Sequence, residues 1–210
     1  MNLVGTFTAL VTPFNTDGSV DYVALRNLVE WQIANDVDGL VPVGTTGESP
    51  TLANDEHLKV IAETVSIAKG RARVIAGTGA NATSEALELT QEALKLGADA
   101  TLQVTPYYNK PNSEGLYRHF SVIADVGLPV VLYNVPGRAG KEIPLELVVR
   151  LAENPQIVAI KEAAGSVERV SAIRNACELT VLSGDERLTL PMLSVGASGV
   201  ISVASNVIPA

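Results

Sequence analysis

From end to end the chain alternates between short apolar runs rich in β-branched residues and longer segments of helical periodicity, and this alternation limits the folds open to it. The runs read as strands at Val4–Leu10, Gly39–Val43, Arg73–Ala76, Ala100–Val104, Pro129–Leu132, Ile157–Ile160, Thr180–Leu182 and Gly199–Val203. Between them, Asp21 is placed to cap a helix carrying Leu25, Leu28 and Val29. Asp55 and Glu56 give an acidic first turn to a helix with Leu58, Ile61, Ala62 and Val65 on one face. Thr83 or Ser84 caps a third helix, with Ala86, Leu89, Ala93 and Leu96, and Gly97 ends it. Leu116, Phe120 and Ile123 mark a fourth helix; Pro144 suits the first turn of a fifth, with Leu147, Val148 and Leu151; Ser166 can cap a sixth.

The repeat lies near the roughly 30 residues of a βαβ unit. About eight strands point to a single (β/α)8 TIM barrel over residues 1–210, short against the typical ~250. A doubly wound open sheet explains the alternation equally well but gathers its loops less tightly. No helix follows the eighth strand, and a barrel lacking its last outer helix would expose apolar surface on neighbouring strands. Two expectations follow: a shortened product, or a partner that covers the surface.

The unusual residues fall just after strands, which a parallel barrel gathers on one face, the face where such barrels hold active sites. Lys161 follows Ile157–Ile160 and is read as standing where that buried strand ends. Desolvation there disfavours the charged amine, lowers its pKa and frees it as a nucleophile toward carbonyls. The plain alternative is a lysine that snorkels to water or pairs with Glu162. Gly44-Thr45-Thr46-Gly47-Glu48 offers hydroxyls and backbone N–H groups in a tight turn opening toward a helix, a cradle for a carboxylate or phosphate, or an ordinary flexible loop. Gly77-Thr78-Gly79-Ala80-Asn81-Ala82 matches the loose dinucleotide fingerprint, but it sits in the third unit and no acidic residue ends the following strand. Tyr107, Tyr108 and Tyr133 stand at strand ends, as packing residues or as a proton relay. Arg138 brings a planar fork suited to a carboxylate, or forms a surface ion pair.

Together these groups suit one chemistry. The lysine condenses with a 2-oxo acid whose carboxylate rests in the cradle, a tyrosine moves protons, and the resulting enamine attacks an aldehyde.

Composition excludes several other classes. A net charge of -8 disfavours nucleic acid or anionic membrane as partners. One cysteine, Cys177, permits no internal disulfide, and with two histidines it makes a zinc site improbable; its spacing from Val170 and Ile173 places it on a helix's core face. No basic-then-apolar leader and no membrane-length apolar run are visible, so the sequence predicts a soluble, cytoplasmic protein.

Gly44-Thr45-Thr46-Gly47-Glu48, Thr105-Pro106-Tyr107-Tyr108-Asn109, Tyr133-Asn134-Val135-Pro136, Ile160-Lys161-Glu162, Ser183-Gly184-Asp185 and Gly199-Val200-Ile201-Ser202 resemble the dihydrodipicolinate synthase family. That family is part of the pyruvate-dependent class I aldolase superfamily, which includes N-acetylneuraminate lyase. The resemblance covers essentially the whole chain. It implies condensation of pyruvate with aspartate semialdehyde to 4-hydroxy-tetrahydrodipicolinate, in lysine and diaminopimelate synthesis, with a covalent imine on Lys161 and no other cofactor. It implies roles for Lys161 (Schiff base), Tyr133 (proton shuttle), Thr45 (relay), Thr46 (pyruvate carboxylate) and Arg138 (semialdehyde carboxylate). Gly184 and the Ile201 carbonyl match pocket-lining positions. Tyr108 matches a tyrosine inserted into a neighbouring subunit's site, which implies a homo-oligomer, a dimer or tetramer. Ser49, His57, Asn81, Glu85 and Tyr107 match a lysine effector site, although Pro50 and Asn54 differ from some lysine-sensitive relatives. Ala139 replaces a hydroxyl residue common after the arginine. The family's eighth helix and C-terminal helical domain have no counterpart in these residues. The alternatives are another pyruvate-dependent aldolase, acting on N-acetylneuraminate or a 2-oxo-3-deoxy sugar acid, and a shortened barrel without catalysis.

Overall fold

The computed structural model describes residue 1 and residues 3–209. Eight parallel strands close into a barrel in sequence order: β1 (Gly5–Ala9), β2 (Gly39–Val41), β3 (Arg73–Gly77), β4 (Ala100–Val104), β5 (Val130–Asn134), β6 (Ile157–Glu162), β7 (Thr180–Ser183) and β8 (Gly199–Ser202). β8 pairs with β1 through Phe7↔Ile201 and Thr8↔Ser202, so the sheet has no free edge and the open-sheet alternative falls.

The helices are α1 (Tyr22–Ala34), α2 (Asn54–Ala68), α3 (Thr83–Leu96), α4 (Ser113–Ala124), α5 (Pro136–Ala139), α6 (Leu145–Ala152), α7 (Val167–Ala176) and α8 (Thr189–Ser194). Asp21 caps α1 by accepting from the N–H groups of Val23 and Ala24, and Ser166 caps α7 by accepting from Arg169 N–H. Two sequence expectations fail here. Thr83 is the first residue of α3 rather than its cap; its hydroxyl instead meets Nδ1 of His119 at 2.9 Å, across to α4. Cys177 caps the end of α7 and is half-buried, against rather than within the core. After β8 the described residues form only a 3₁₀ turn, Ala204–Asn206.

Strand alternation sorts the core into layers. Phe7, Val41, Ile75, Leu102, Val131, Ala159, Leu182 and Ile201 fill the barrel interior. Their strand neighbours face outward. Leu40, Val74 and Ala76 pack under α1–α3, while Val130, Leu132, Ile160 and Val181 pack under α4 and α6–α8. Both faces of each strand are thus buried, which is why the strands read as continuous apolar runs.

Candidate active site

Tyr133 and Lys161 are not at strand ends. β5 runs on to Asn134 and β6 to Glu162, and the register sets Tyr133 directly beside Lys161. Both point inward, so a polar residue on the inner face was mistaken in the sequence for the end of the strand. Lys161 is 5% exposed, and its Nζ lies 4.4 Å from the centroid of the Tyr133 ring. Burial pulls its amine down to about 8; Glu186 opposes that shift and Arg138 adds to it. The lysine neither snorkels nor pairs with Glu162, which points to the other face of the strand and is bound to Arg169.

Burial raises the Tyr133 hydroxyl above its ordinary value, partly offset by a hydrogen bond with Thr45 and the charge of Arg138. Thr45 stands in the turn after β2, with Thr46 half-buried beside it. The Thr12 hydroxyl donates to Gly47 O at 2.6 Å, and Glu48 N–H donates to Thr45 O at 3.1 Å, so the turn is tied down. It opens into a 3₁₀ turn, Ser49–Thr51, and α2 then begins at Asn54 with Asp55 and Glu56 in its first turn, as expected.

Arg138 sits on α5, a short helix that follows β5 directly. With Thr45, Ser49, Pro50, Val104, Tyr107, Val135 and Ala139 it lines a cavity of about 220 Å³. Thr45 and Tyr133 share a smaller cavity of about 20 Å³ with Val43, Gly44 and Leu102. A larger cavity of about 410 Å³ lies at the opposite end of the barrel, between the starts of β6 and β7 and the ends of α6 and α7, and holds none of these residues.

Gly184 follows β7. A Cβ there would lie 2.8 Å from Ala163 Cβ and 2.9 Å from Lys161 Cε, so its missing side chain is the room in which the lysine lies. Ile201 is buried in the same interior cluster as Tyr133. Gly77 and Gly79 answer to packing: a Cβ on Gly77 would meet Val43 O at 2.3 Å, and one on Gly79 would meet Val104 N at 2.5 Å. No phosphate cradle is needed to explain them.

A further cavity of about 230 Å³ gathers Ser49, His57, Glu85 and Tyr107 with Pro50 and Asn54. Asn81 adjoins it, its backbone carbonyl accepting from Asn109 Nδ2 at 3.0 Å. Burial lowers the His57 imidazole, and Nε2 contacts Gly77 O at 2.8 Å. Tyr108 stands apart: it has φ +72° and is 90% exposed.

Glu186 escaped the sequence reading. It lies just past Gly184 and accepts at Oε1 from Val203 N (2.5 Å), Ala204 N (3.2 Å) and the Ser202 hydroxyl (3.4 Å). Partial burial pushes its carboxyl up, but these donors outweigh that and hold it below the usual range. An acidic residue just past a strand end was the available signal. Among the described residues no three His, Cys, Asp or Glu side chains cluster so as to hold a metal ion.

A buried lysine, its tyrosine and a threonine turn on one barrel face coincide with a match of the dihydrodipicolinate synthetase family model to residues 2–210. The chain belongs to the dihydrodipicolinate synthetase family. It is 54% identical over 208 residues to the 4-hydroxy-tetrahydrodipicolinate synthase of Pelobacter propionicus, covering 98% of this chain and 71% of that one. The structure of the 4-hydroxy-tetrahydrodipicolinate synthase from Methylacidiphilum fumariolicum SolV superposes with a TM-score of 0.97 at 54% identity, covering 99% of this chain and 70% of that one. DHDPS from Cyanidioschyzon merolae, solved with lysine bound, gives 0.95 at 46% identity, covering 98% and 72%. For the family member in hand, the (β/α)8 architecture and the buried lysine are one arrangement: β6 carries the amine into the barrel interior, where it is 5% exposed.

Proposed function

We propose that this chain condenses pyruvate with L-aspartate 4-semialdehyde to 4-hydroxy-tetrahydrodipicolinate, the reaction named by its relatives, as a step toward lysine and diaminopimelate. The observation that carries the reading is the buried amine of Lys161 over the Tyr133 ring, with Thr45 lining a small cavity together with that tyrosine. The neutral amine attacks C2 of pyruvate, water leaves, and an imine forms. Loss of a methyl proton gives an enamine whose carbon attacks the aldehyde. The substrate's own amine then displaces Lys161 and closes the ring. Tyr133 and Thr45 carry protons in and out of a site with little water. Thr46 holds the pyruvate carboxylate, Arg138 holds that of the semialdehyde, and Gly184 and Ile201 shape the pocket floor. The imine on Lys161 is the only covalent carrier in this scheme, and the protein works in the cytoplasm.

Two further roles belong to the same reading. Tyr108, exposed on its own chain, enters the site of a second copy and completes the relay, so the working form is a dimer or tetramer. Free lysine binds the cavity of Ser49, His57, Glu85 and Tyr107 beside Asn81 and inhibits. Support comes from the relative solved with lysine bound and from a carboxylate, Glu85, able to meet an ammonium group.

The deciding experiment is borohydride reduction of the chain with pyruvate, followed by peptide mass spectrometry. A pyruvyl adduct on Lys161 is expected; a folded chain with no adduct overturns the imine reading.

A further inference from the structure

Directly behind the lysine, on the outer face of the barrel, the fully buried carboxylate of Glu162 is the point where four segments meet. Its Oε1 accepts from Asn134 Nδ2 and from Ala164 N, both at 2.9 Å. Its Oε2 accepts from Arg169 Nε at 2.8 Å and from Asn134 Nδ2 at 3.1 Å. The remaining donors and acceptors close a ring. Asn134 Oδ1 accepts from Ile143 N at 3.0 Å, Arg169 Nη2 donates to Ile143 O at 2.5 Å, and Arg169 Nη1 lies 3.2 Å from Glu142. The carboxylate therefore joins the end of β5, the end of β6, the first turn of α7 and the segment between α5 and α6.

The place of this ring in the sheet gives it meaning. Asn134 pairs with Glu162 one step beyond the pairing of Tyr133 with Lys161. The β5–β6 register is not uniform, for it shifts between Val130 and Val131 at the other end of the strands. A one-residue slip turns every side chain to the opposite face. Apolar packing resists such a slip without directional precision, whereas the amide–carboxylate pair is directional. Nor does net stability account for a buried ion pair, since apolar replacements often do as well.

We propose that Glu162 is a positioning residue for the reaction: through Asn134 and Arg169 it holds β5 and β6 in the register that sets the Lys161 amine over Tyr133, and through Ile143 it fixes the segment following Arg138. The proposal rests on the reading of Lys161 as the imine-forming residue. Glu162 touches neither substrate nor the reacting atoms.

The test uses the whole chain as wild type, E162Q and N134A, the second variant removing the cross-strand bond to Glu162 together with the acceptor of Ile143 N–H while leaving the Glu162–Arg169 pair in place. Pyruvate is added, the mixture is quenched with borohydride at timed intervals, and the Lys161 peptide is weighed. The maximal rate of adduct formation is read separately from the pyruvate concentration giving half that rate. Folding is followed by circular dichroism. Expected for each folded variant is a maximal rate lower by about 10- to 100-fold, the scale of misplacing a reacting group by about 1 Å, with the half-saturating pyruvate concentration changed by less than about threefold. A merely structural role would lower the amount of folded protein without this split. A folded variant with a maximal rate within about twofold of wild type overturns the proposal, as does a loss in both variants that only tracks lost folded protein. If the wild type itself forms no adduct, the imine reading has failed, and the proposal falls with it. An adduct in wild type with unchanged variants removes the proposal alone.

Discussion

At the scale of single residues, the site is assembled against the interests of stability. Lys161 is 5% exposed in an interior otherwise filled by side chains such as Val131, Ala159 and Leu182. Lowering its amine to about 8 weakens the fold at neutral pH by on the order of 3 kcal/mol relative to an ordinary lysine. The sign follows from proton counting. Below pH about 8 folded and unfolded chains both hold the proton and the penalty is full; from there to about 10.4 only the unfolded chain holds it, and stability climbs with pH. K161M should therefore abolish adduct formation yet raise stability at pH 7 by about 1–3 kcal/mol, read by urea unfolding, with the gain shrinking as pH rises from about 8 to about 10. The same proton governs chemistry. Only the neutral amine attacks, so the rate of adduct formation should rise about tenfold per pH unit up to about 8 and then level off. A plateau reached only above pH 10 would mean the amine is solvated.

At the scale of elements, the lysine depends on what its neighbouring strand leaves out. The missing Cβ of Gly184, after β7, is the space beside Lys161 Cε and Ala163. A methyl there, in G184A, would displace the lysine's flexible stem, and Ala163 Cβ, 2.8 Å away and fixed to the backbone, must give as well. We expect adduct formation slowed by about 10-fold or more together with a stability loss of about 1–3 kcal/mol, measured by timed borohydride quenching and calorimetry. Such elements differ in how plainly a sequence shows them. All eight strands were visible, because a parallel barrel buries both faces and writes continuous apolar runs. Their ends were less visible: Tyr133 and Lys161 looked like exits because an inward polar side chain interrupts the run just as a loop does. Lys161, Tyr133, Thr45 and Arg138 were legible from residue type and place after a strand, with the family motifs adding the roles. The tie between Glu162, Asn134 and Arg169 was not, since partners 28 residues apart are set by register, which no local pattern carries. Thr83 shows the same effect: its hydroxyl left the helix end for His119, 36 residues on.

At the scale of the whole molecule, the unusual state of Tyr108 matters most. A tyrosine with 90% of its surface exposed and φ +72° buries nothing on its own chain, while its neighbour Tyr107 lines the cavity beside Thr45. Positive φ is strained for a bulky residue, and such strain persists where the surroundings or a function hold it. A side chain held outward in this way is suited to an acceptor on another copy, and a two-fold interface lets each copy supply the other. Mixing two inactive chains tests the idea. K161A keeps Tyr108 but cannot form the imine; Y108F keeps Lys161 but lacks the hydroxyl. If the tyrosine acts across an interface, a mixed pair contains one site with both groups intact. Random two-fold pairing of equal amounts then restores about a quarter of the wild-type sites. Assayed by condensation of pyruvate with the semialdehyde, the mixture should turn over well above the sum of its parts, and the gain should fade on dilution as pairs dissociate. Activity no greater than that sum, under conditions where the two chains exchange, would confine Tyr108 to its own subunit and leave proton transfer to Tyr133 and Thr45 alone.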